Sequence, residues 1–306
     1  MSFISLARDG AAPSPEALRI GSGRWAALAR AVFALLLAGV LTACTSTDVL
    51  RSTAQPVPTS ASNKYAAIVV DANTGRVLYA DQADSRRYPA SLTKMMTVYM
   101  LFEAMQQGRI GASTDIPISA YAASRPPTKL HLKPGETIDV DTAIRALVTR
   151  SANDVATAVA EHLGGSEENF AAMMTTKARQ LGMGSTVFRN ASGLPDPGQV
   201  STARDMATLS LALRRHFPAQ YGYFGRTSFA FRGRSVRGHN KVLETVRGAD
   251  GLKTGYTRAS GFNLATSARR DGRSIVAVVM GGDSAAQRDA MMAQLIEAFL
   301  PKASRR

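Results

Sequence analysis

The chain has 306 residues, 45% hydrophobic and 20% charged. It is long enough for one large domain or two intimately packed ones, with a globular rather than a disordered composition. The formal net charge of +14 favours anionic surfaces but fits a general arginine bias equally well. Lys and Arg are scattered and no RNA- or DNA-binding motif is present, which sets nucleic acid aside. A lone cysteine excludes an intramolecular disulfide. His131, His162, His216 and His239 stand apart with no His-Glu-x-x-His pattern, so no metal or other cofactor is expected.

In chain order, Arg19, Arg24 and Arg30 lead into an apolar run from Ala31 to Val40. The thirteen residues Ala31 to Ala43 are too short to span a bilayer comfortably and fit the core of a signal peptide over 1–43. Ordinary secretory cleavage after Ala43 would put the bulky Leu41 at position −3. Leu41-Thr42-Ala43-Cys44 resembles instead the lipobox of bacterial lipoproteins, which implies acylation of Cys44 and a membrane attachment through that lipid. Thr45, rather than Asp, follows the cysteine, which by analogy favours the outer membrane. Residues 44–63, rich in Ser, Thr, Pro and Ala, read as a flexible tether.

Order begins at Tyr65. Tyr65 to Val70, the turn Asp71-Ala72-Asn73-Thr74-Gly75 and Arg76 to Tyr79 predict a β-hairpin. A helix is expected from Ser91, with Met95, Met96, Val98, Tyr99, Leu101, Phe102 and Met105 at helical spacing and Gly108 as its stop. An irregular excursion follows, through Pro117, Pro126, Pro127 and Lys133-Pro134-Gly135. Further helices are predicted over 141–149, 154–163, 167–181 and 201–215, with a loop over 189–197. Strands return over 262–268 and 274–280 about an Arg270-Asp271-Gly272-Arg273 turn, and a last helix spans about 284–299. Strands at both ends around a helical middle predict an α+β fold: one antiparallel sheet built from the two chain ends, flanked by helices, with a mostly helical lobe inserted. The domain is expected over 64–300, followed by a basic tail over 301–306.

Three short motifs carry chemistry. In Ser91-Leu92-Thr93-Lys94, hydroxyl and amine lie at i and i+3 and share a helix face, at an end where backbone N–H groups are unpaired. Alone, this fits an N-capping serine beside a solvated lysine just as well. Ser151-Ala152-Asn153 follows after 60 residues and Lys253-Thr254-Gly255 about 100 further on. Together the three resemble the signature of penicillin-binding proteins and serine β-lactamases, with Ala152 in place of the usual acid of the middle motif. Residues 89–105, 132–136, 143–162, 190–195 and 250–282 resemble D-alanyl-D-alanine carboxypeptidases of low molecular mass, and the likeness runs from about Lys64 to Phe299.

The resemblance implies a DD-peptidase that acts on peptidoglycan stem peptides through a Ser91 acyl-enzyme and is covalently inhibited by β-lactam antibiotics. Lys94 would take the serine proton once burial and the Lys253 cation lower its pKa. Ser151 would relay a proton, and Asn153 would bind substrate or hold Lys94. The edge strand at Lys253-Thr254-Gly255 would admit a peptide alongside Gly255, and the N–H groups of Ser91 and Tyr256 would form the oxyanion hole. Thr254 and Arg288 would bind a terminal carboxylate, although Arg288 also fits a surface helix position. A DD-endopeptidase is a close variant. A β-lactamase fits less well, because no glutamate occurs between Asn169 and Leu243, where the deacylating residue would fall.

Overall fold

The computed structural model describes residues 63–306, so the predicted leader, Cys44 and the tether up to Ser62 lie outside the described residues. Strand β1 (Ala66–Asp71) is buried on both faces and turns into β2 (Val77–Asp81). Asp71 makes that turn: its Oδ1 accepts from Asn73 N at 2.9 Å and Thr74 N at 3.3 Å, an Asx-type substitute for backbone pairing. A 3₁₀ turn (Ala90–Thr93) leads into α1 (Lys94–Gln106), whose residues from Lys94 to Phe102 are all buried. A helix apolar all round belongs inside, and α1 is the central helix of the lobe.

The excursion that follows holds β3 (Asp115–Pro117), α2 (Ala120–Ser124) and β4 (Thr137–Asp139), with β3 and β4 paired antiparallel. Asp139 caps α3 (Val140–Arg145), accepting from Thr142 N at 2.8 Å. A π-helical turn (Ala146–Arg150) then widens the spiral before α4 (Asn153–Gly164). The helices α5 (Glu167–Gln180) and α6 (Ala203–His216) are capped by Ser166 and Thr202. A small hairpin, β5 (Ser228–Phe231) and β6 (Arg234–Arg237), and the short α7 (Val242–Thr245) precede the long strands β7 (Ala249–Thr257), β8 (Gly261–Arg270) and β9 (Arg273–Gly282). The last helix, α8 (Ala285–Phe299), starts at a Ser284 cap.

The sheet order is β2-β1-β9-β8-β7, and every pairing in it is antiparallel. Its two-residue period sorts the core. Ile68, Val70, Val276, Val278 and Met280 face the helical lobe, while Ala67, Val69, Ile275, Ala277 and Val279 face Met292, Leu295 and Ile296 of α8. The α+β architecture expected from the sequence is therefore present, with β7 at an edge. No helix among the described residues is long and apolar enough to cross a membrane.

The structure corrects two local expectations and adds two features that the sequence reading did not address. Ser91 sits in the 3₁₀ turn, and the α-helix starts only at Lys94. The single helix expected over 141–149 is split by the π turn. The stretch 225–245 adds a hairpin and a short helix that short, half-exposed residues did not reveal. The basic tail is docked: the buried Asp71 needs donors on both oxygens, and Ser304 N donates to its Oδ2 at 2.8 Å.

Candidate active site

Lys94 is fully buried, and its position at the start of α1 aims the amine at three oxygens. Nζ lies 3.2 Å from Ser91 Oγ, 2.6 Å from Asn153 Oδ1 and 2.6 Å from the carbonyl of Ser192. Those are all the acceptors one ammonium can use. Burial, and then the nearby Lys253 cation, hold the Lys94 pKa well below the usual lysine value; Asp154 and Glu167 pull the other way.

Ser151 follows the π turn in a left-handed conformation, φ +63°, which is costly for a residue with a Cβ. Its hydroxyl is buried and has no hydrogen-bond partner among the described residues. Asn153, opening α4, is locked from two sides: its N–H donates to Thr128 O at 2.7 Å and its Nδ2 to Pro126 O at 2.9 Å. Asp154, next in line, accepts from Leu130 N at 3.1 and 3.0 Å and from Leu132 N at 3.3 Å. It braces the excursion that reaches over Asn153, a larger task than starting a helix.

Edge strand β7 forms the opposite wall. Lys253 is 2% exposed, its Nζ donates to Thr254 O at 2.8 Å, and burial followed by the Arg288 charge lowers its pKa to about 7. Thr254 is buried beside it. A Cβ on Gly255 would come within 3.0 Å of Ser91 N and 3.2 Å of Leu92 N, so only glycine lets the strand approach the Ser91 turn this closely. Directly opposite Gly255 on β8 is Asn263, whose Nδ2 donates to Tyr88 O at 3.0 Å and Pro89 O at 3.1 Å and whose Oδ1 accepts from Gly281 N. One amide thus ties the Ser91 turn to the sheet. Tyr256 is 56% exposed and stacks on Phe262 with ring centroids 4.2 Å apart.

Arg288 is buried rather than on the helix surface. Its Nη1 reaches Asn263 O at 3.3 Å, and its Nε and Nη2 donate to Asp289 Oδ1 at 2.9 and 2.7 Å.

The loop after α5 closes the site from behind. Asn190 Oδ1 accepts from Ser192 N and Gly193 N, and Gln199 Oε1 holds Arg189 N and Asn190 N. Gly193 adopts φ +84°, and a Cβ there would overlap the Ala90 carbonyl at 1.9 Å. Glu167 anchors the same loop: its Oε1 accepts from Ala191 N and Thr157 Oγ1, both at 3.1 Å, and its Oε2 from Tyr121 at 3.1 Å. Beside the Ser91 turn, Tyr88, Leu194, Pro195, Pro197 and Thr257 line a cavity of about 160 Å³.

The structure therefore brings Ser91, Lys94 and Asn153 into one hydrogen-bonded cluster and sets the backbone of β7 at Gly255 against the Ser91 turn. Ser192, Asn263 and Glu167 were not singled out from the sequence. Each acts through a contact distant along the chain that no local spacing announces. Gly193, inside Ser192-Gly193-Leu194-Pro195, did carry a signal as a glycine in a turn motif.

With this geometry in place, comparison with known proteins is decisive. A model of the D-alanyl-D-alanine carboxypeptidase family matches residues 51–284. The chain belongs to that family. It is 36% identical over 236 residues to D-alanyl-D-alanine carboxypeptidase DacA of Escherichia coli K12, a match over 75% of this chain and 59% of DacA. To DacF of Bacillus subtilis 168 it is 33% identical over 236 residues, 76% of this chain and 60% of DacF. The chain thus spans about three-fifths of the length of these relatives. Among solved structures, penicillin binding protein 5 of Haemophilus influenzae superposes with a TM-score of 0.74 at 32% identity, covering 78% of this chain and 71% of that one. Penicillin-binding protein D2 of Listeria monocytogenes in its ampicillin-bound form gives 0.67 at 30% identity, covering 76% and 96%. The fold of this family member is that of the penicillin-binding DD-peptidases.

Proposed function

We propose that residues 64–300 form a serine D-alanyl-D-alanine carboxypeptidase that removes the terminal D-alanine from peptidoglycan stem peptides and is acylated by β-lactams at Ser91. The observation that carries this reading is the fully buried Lys94 amine between Ser91 Oγ, Asn153 Oδ1 and Ser192 O. A neutral amine has two N–H donors and one lone pair. Its two 2.6 Å contacts use the donors, which leaves the lone pair for the Ser91 O–H at 3.2 Å. Burial, and charge on Lys253, favour that neutral form.

Ser91 Oγ then attacks the carbonyl of the penultimate D-alanine while its proton passes to Lys94. The oxyanion is held by the N–H groups of Ser91 and Tyr256, an arrangement supported by the contact of β7 at Gly255 with Ser91 N. As the peptide C–N bond breaks and the Ser91 ester forms, Ser151, with a hydroxyl free of partners among the described residues, relays the proton taken up by Lys94 to the departing D-alanine amine, so that both Lys94 and Ser151 return to their starting forms. Water cleaves that ester and restores Ser91. Thr254, Lys253 and Arg288 gather the terminal carboxylate. With a β-lactam the opened ring stays attached, and Glu167 does not act as a deacylating base because its oxygens are committed to Tyr121, Thr157 and Ala191.

One observation favours a second reading. Asp289 already neutralises part of Arg288, which weakens the case for a free-carboxylate substrate and fits an endopeptidase acting on cross-links. Export through residues 1–43 and lipidation at Cys44 complete the proposal. Radiolabelled palmitate should enter the wild type and not Cys44→Ala.

The deciding experiment follows a fluorescent penicillin adduct by intact mass over hours, with diacetyl-Lys-D-Ala-D-Ala hydrolysis alongside. A long-lived adduct on Ser91 with D-alanine release, both lost in Ser91→Ala, supports the carboxypeptidase. An adduct without D-alanine release points to the endopeptidase. Rapid turnover to penicilloate, or no adduct, refutes both.

A further inference from the structure

At the sheet end that carries the β1–β2 and β8–β9 turns, an open cavity of about 880 Å³ is lined by Arg214, Arg215, Arg269 and Arg306. It shares no lining residue with the Ser91 site. Asp250 is the one carboxylate side chain among its lining residues, and that group is occupied; the backbone oxygen end of Arg306 lies beside Gly272 on the same wall. Asp250 accepts from Arg214 Nη1 at 3.1 Å and from Ser267 Oγ, while Tyr221 shares a 2.6 Å hydrogen bond with Ser267. Arg214, neutralised by Asp250, also lies over the Tyr221 ring at 5.2 Å. Arg215, Arg269 and Arg306 make no ion pair among the described residues, and all three are exposed.

The three arginines reach the cavity from separate parts of the chain. Arg215 comes from the last turn of α6, where a cation suits the helix dipole. That explanation fails for the other two. Arg269, one residue before the end of β8, is fixed by its N–H to Gly248 O at 2.9 Å, and Arg306 N donates to Gly272 O at 3.0 Å beside the β8–β9 turn. Asn73, in the β1–β2 turn, ties that turn to the C-terminal segment, with Nδ2 donating to Ser304 O at 2.9 Å. Converging like charges at a concave surface cost folding energy, and such a surface concentrates counter-anions. Guanidinium groups with free N–H edges suit tetrahedral oxyanions, which they bind bidentately.

We propose that this cavity binds a multiply charged oxyanion of the phosphate class, supplied either by a free phosphate ester or by the headgroup of an anionic lipid. The inference does not depend on the peptidase reading.

Calorimetric titration of the full chain carrying Cys44→Ala, and therefore no lipid, with inorganic pyrophosphate tests it. Saturable one-to-one binding is expected, weakened about tenfold or more in Arg215→Ala/Arg269→Ala and by added salt. Fluorescent-penicillin labelling of that double variant, unchanged from the parent, shows that the fold is intact. No saturable binding, or the same affinity in the double variant, overturns the proposal. Pelleting with phosphatidylcholine vesicles, with and without phosphatidic acid, separates the sources. Pelleting that needs phosphatidic acid, Arg215 and Arg269, and is competed by pyrophosphate, identifies a headgroup; pyrophosphate binding without pelleting identifies a free ester. Pelleting indifferent to the double variant is due to the general positive charge and overturns the headgroup source.

Discussion

Replacing Lys253 by Met should stabilise the protein while disabling it. Lys253 is buried, and its ammonium, which ordinarily ionises near 10.5, here does so at about 7, mainly because burial removes its water and secondly because Arg288 is near. Between those two values the unfolded chain holds a proton that the folded chain does not, so stability rises with pH from about 7 to about 10.5. At pH 7.5 the penalty relative to the alkaline limit is about 4 kcal/mol. Methionine fills a similar volume without charge, and the change leaves the Thr254 carbonyl short of its 2.8 Å partner, a loss of about 1 kcal/mol. A net gain of about 3 kcal/mol is expected at pH 7.5, shrinking to nothing or reversing by pH 10. The variant also loses the amine proposed to gather the substrate carboxylate, so β-lactam acylation should slow by about 10- to 100-fold. Urea unfolding of both proteins at pH 7.5 and 10, with acylation rates, provides the assay. A destabilised variant at pH 7.5, or a difference that does not change with pH, would refute the reasoning.

Gly193→Ala should lower stability by about 3 kcal/mol and slow acylation, because its Cβ would sit 1.9 Å from Ala90 O in a left-handed residue; thermal melting and penicillin labelling report both effects. Asn153→Ala deprives Lys94 of its 2.6 Å acceptor and Pro126 O of its donor, so the benzylpenicillin acylation rate should fall by roughly 10- to 100-fold. Glu167→Gln removes a charge that raises the Lys94 pKa but keeps an oxygen for Ala191 N, so the acid limb of the acylation pH profile should move to lower pH; a shift to higher pH would contradict it.

The sheet was legible because its strands alternate or run continuously apolar and because Asp-x-Asn-x-Gly and Asp-Gly sequences mark their turns. The helices were legible from their period and their Ser and Thr caps. Boundaries failed where local geometry answers to a distant contact. Ser91 is held in a 3₁₀ turn by Gly193 and Asn263, residues about 100 and 170 positions away, and helix propensity carries no trace of them. The π turn before Ser151 is equally silent, since Ala146 to Arg150 would suit an ordinary helix. The site motifs could be read as a set, but not which atoms meet. That Lys94 uses a backbone carbonyl at Ser192 cannot be seen in a side-chain pattern. Glu167 lies two residues before the window in which a carboxylate was sought, and its part in the loop follows from its bond to Ala191 N rather than from its position.

The balance at Lys94 explains why so many buried polar groups surround one amine. Burial favours its neutral form, and Lys253 adds to that effect, yet two carboxylates, Asp154 and Glu167, act in the opposite direction. Neither carboxylate is there for the lysine alone. Asp154 holds the backbone at Leu130 and Leu132, and Glu167 holds it at Ala191. Each fixes a wall of the site with charge-assisted bonds and thereby sets a field on the amine between them. The base must accept the serine proton and later return it, and neighbours that pull its pKa in opposite directions serve both steps. Rigid walls and a poised base therefore have one physical cause here: carboxylates buried because they are satisfied, and charged close enough to matter.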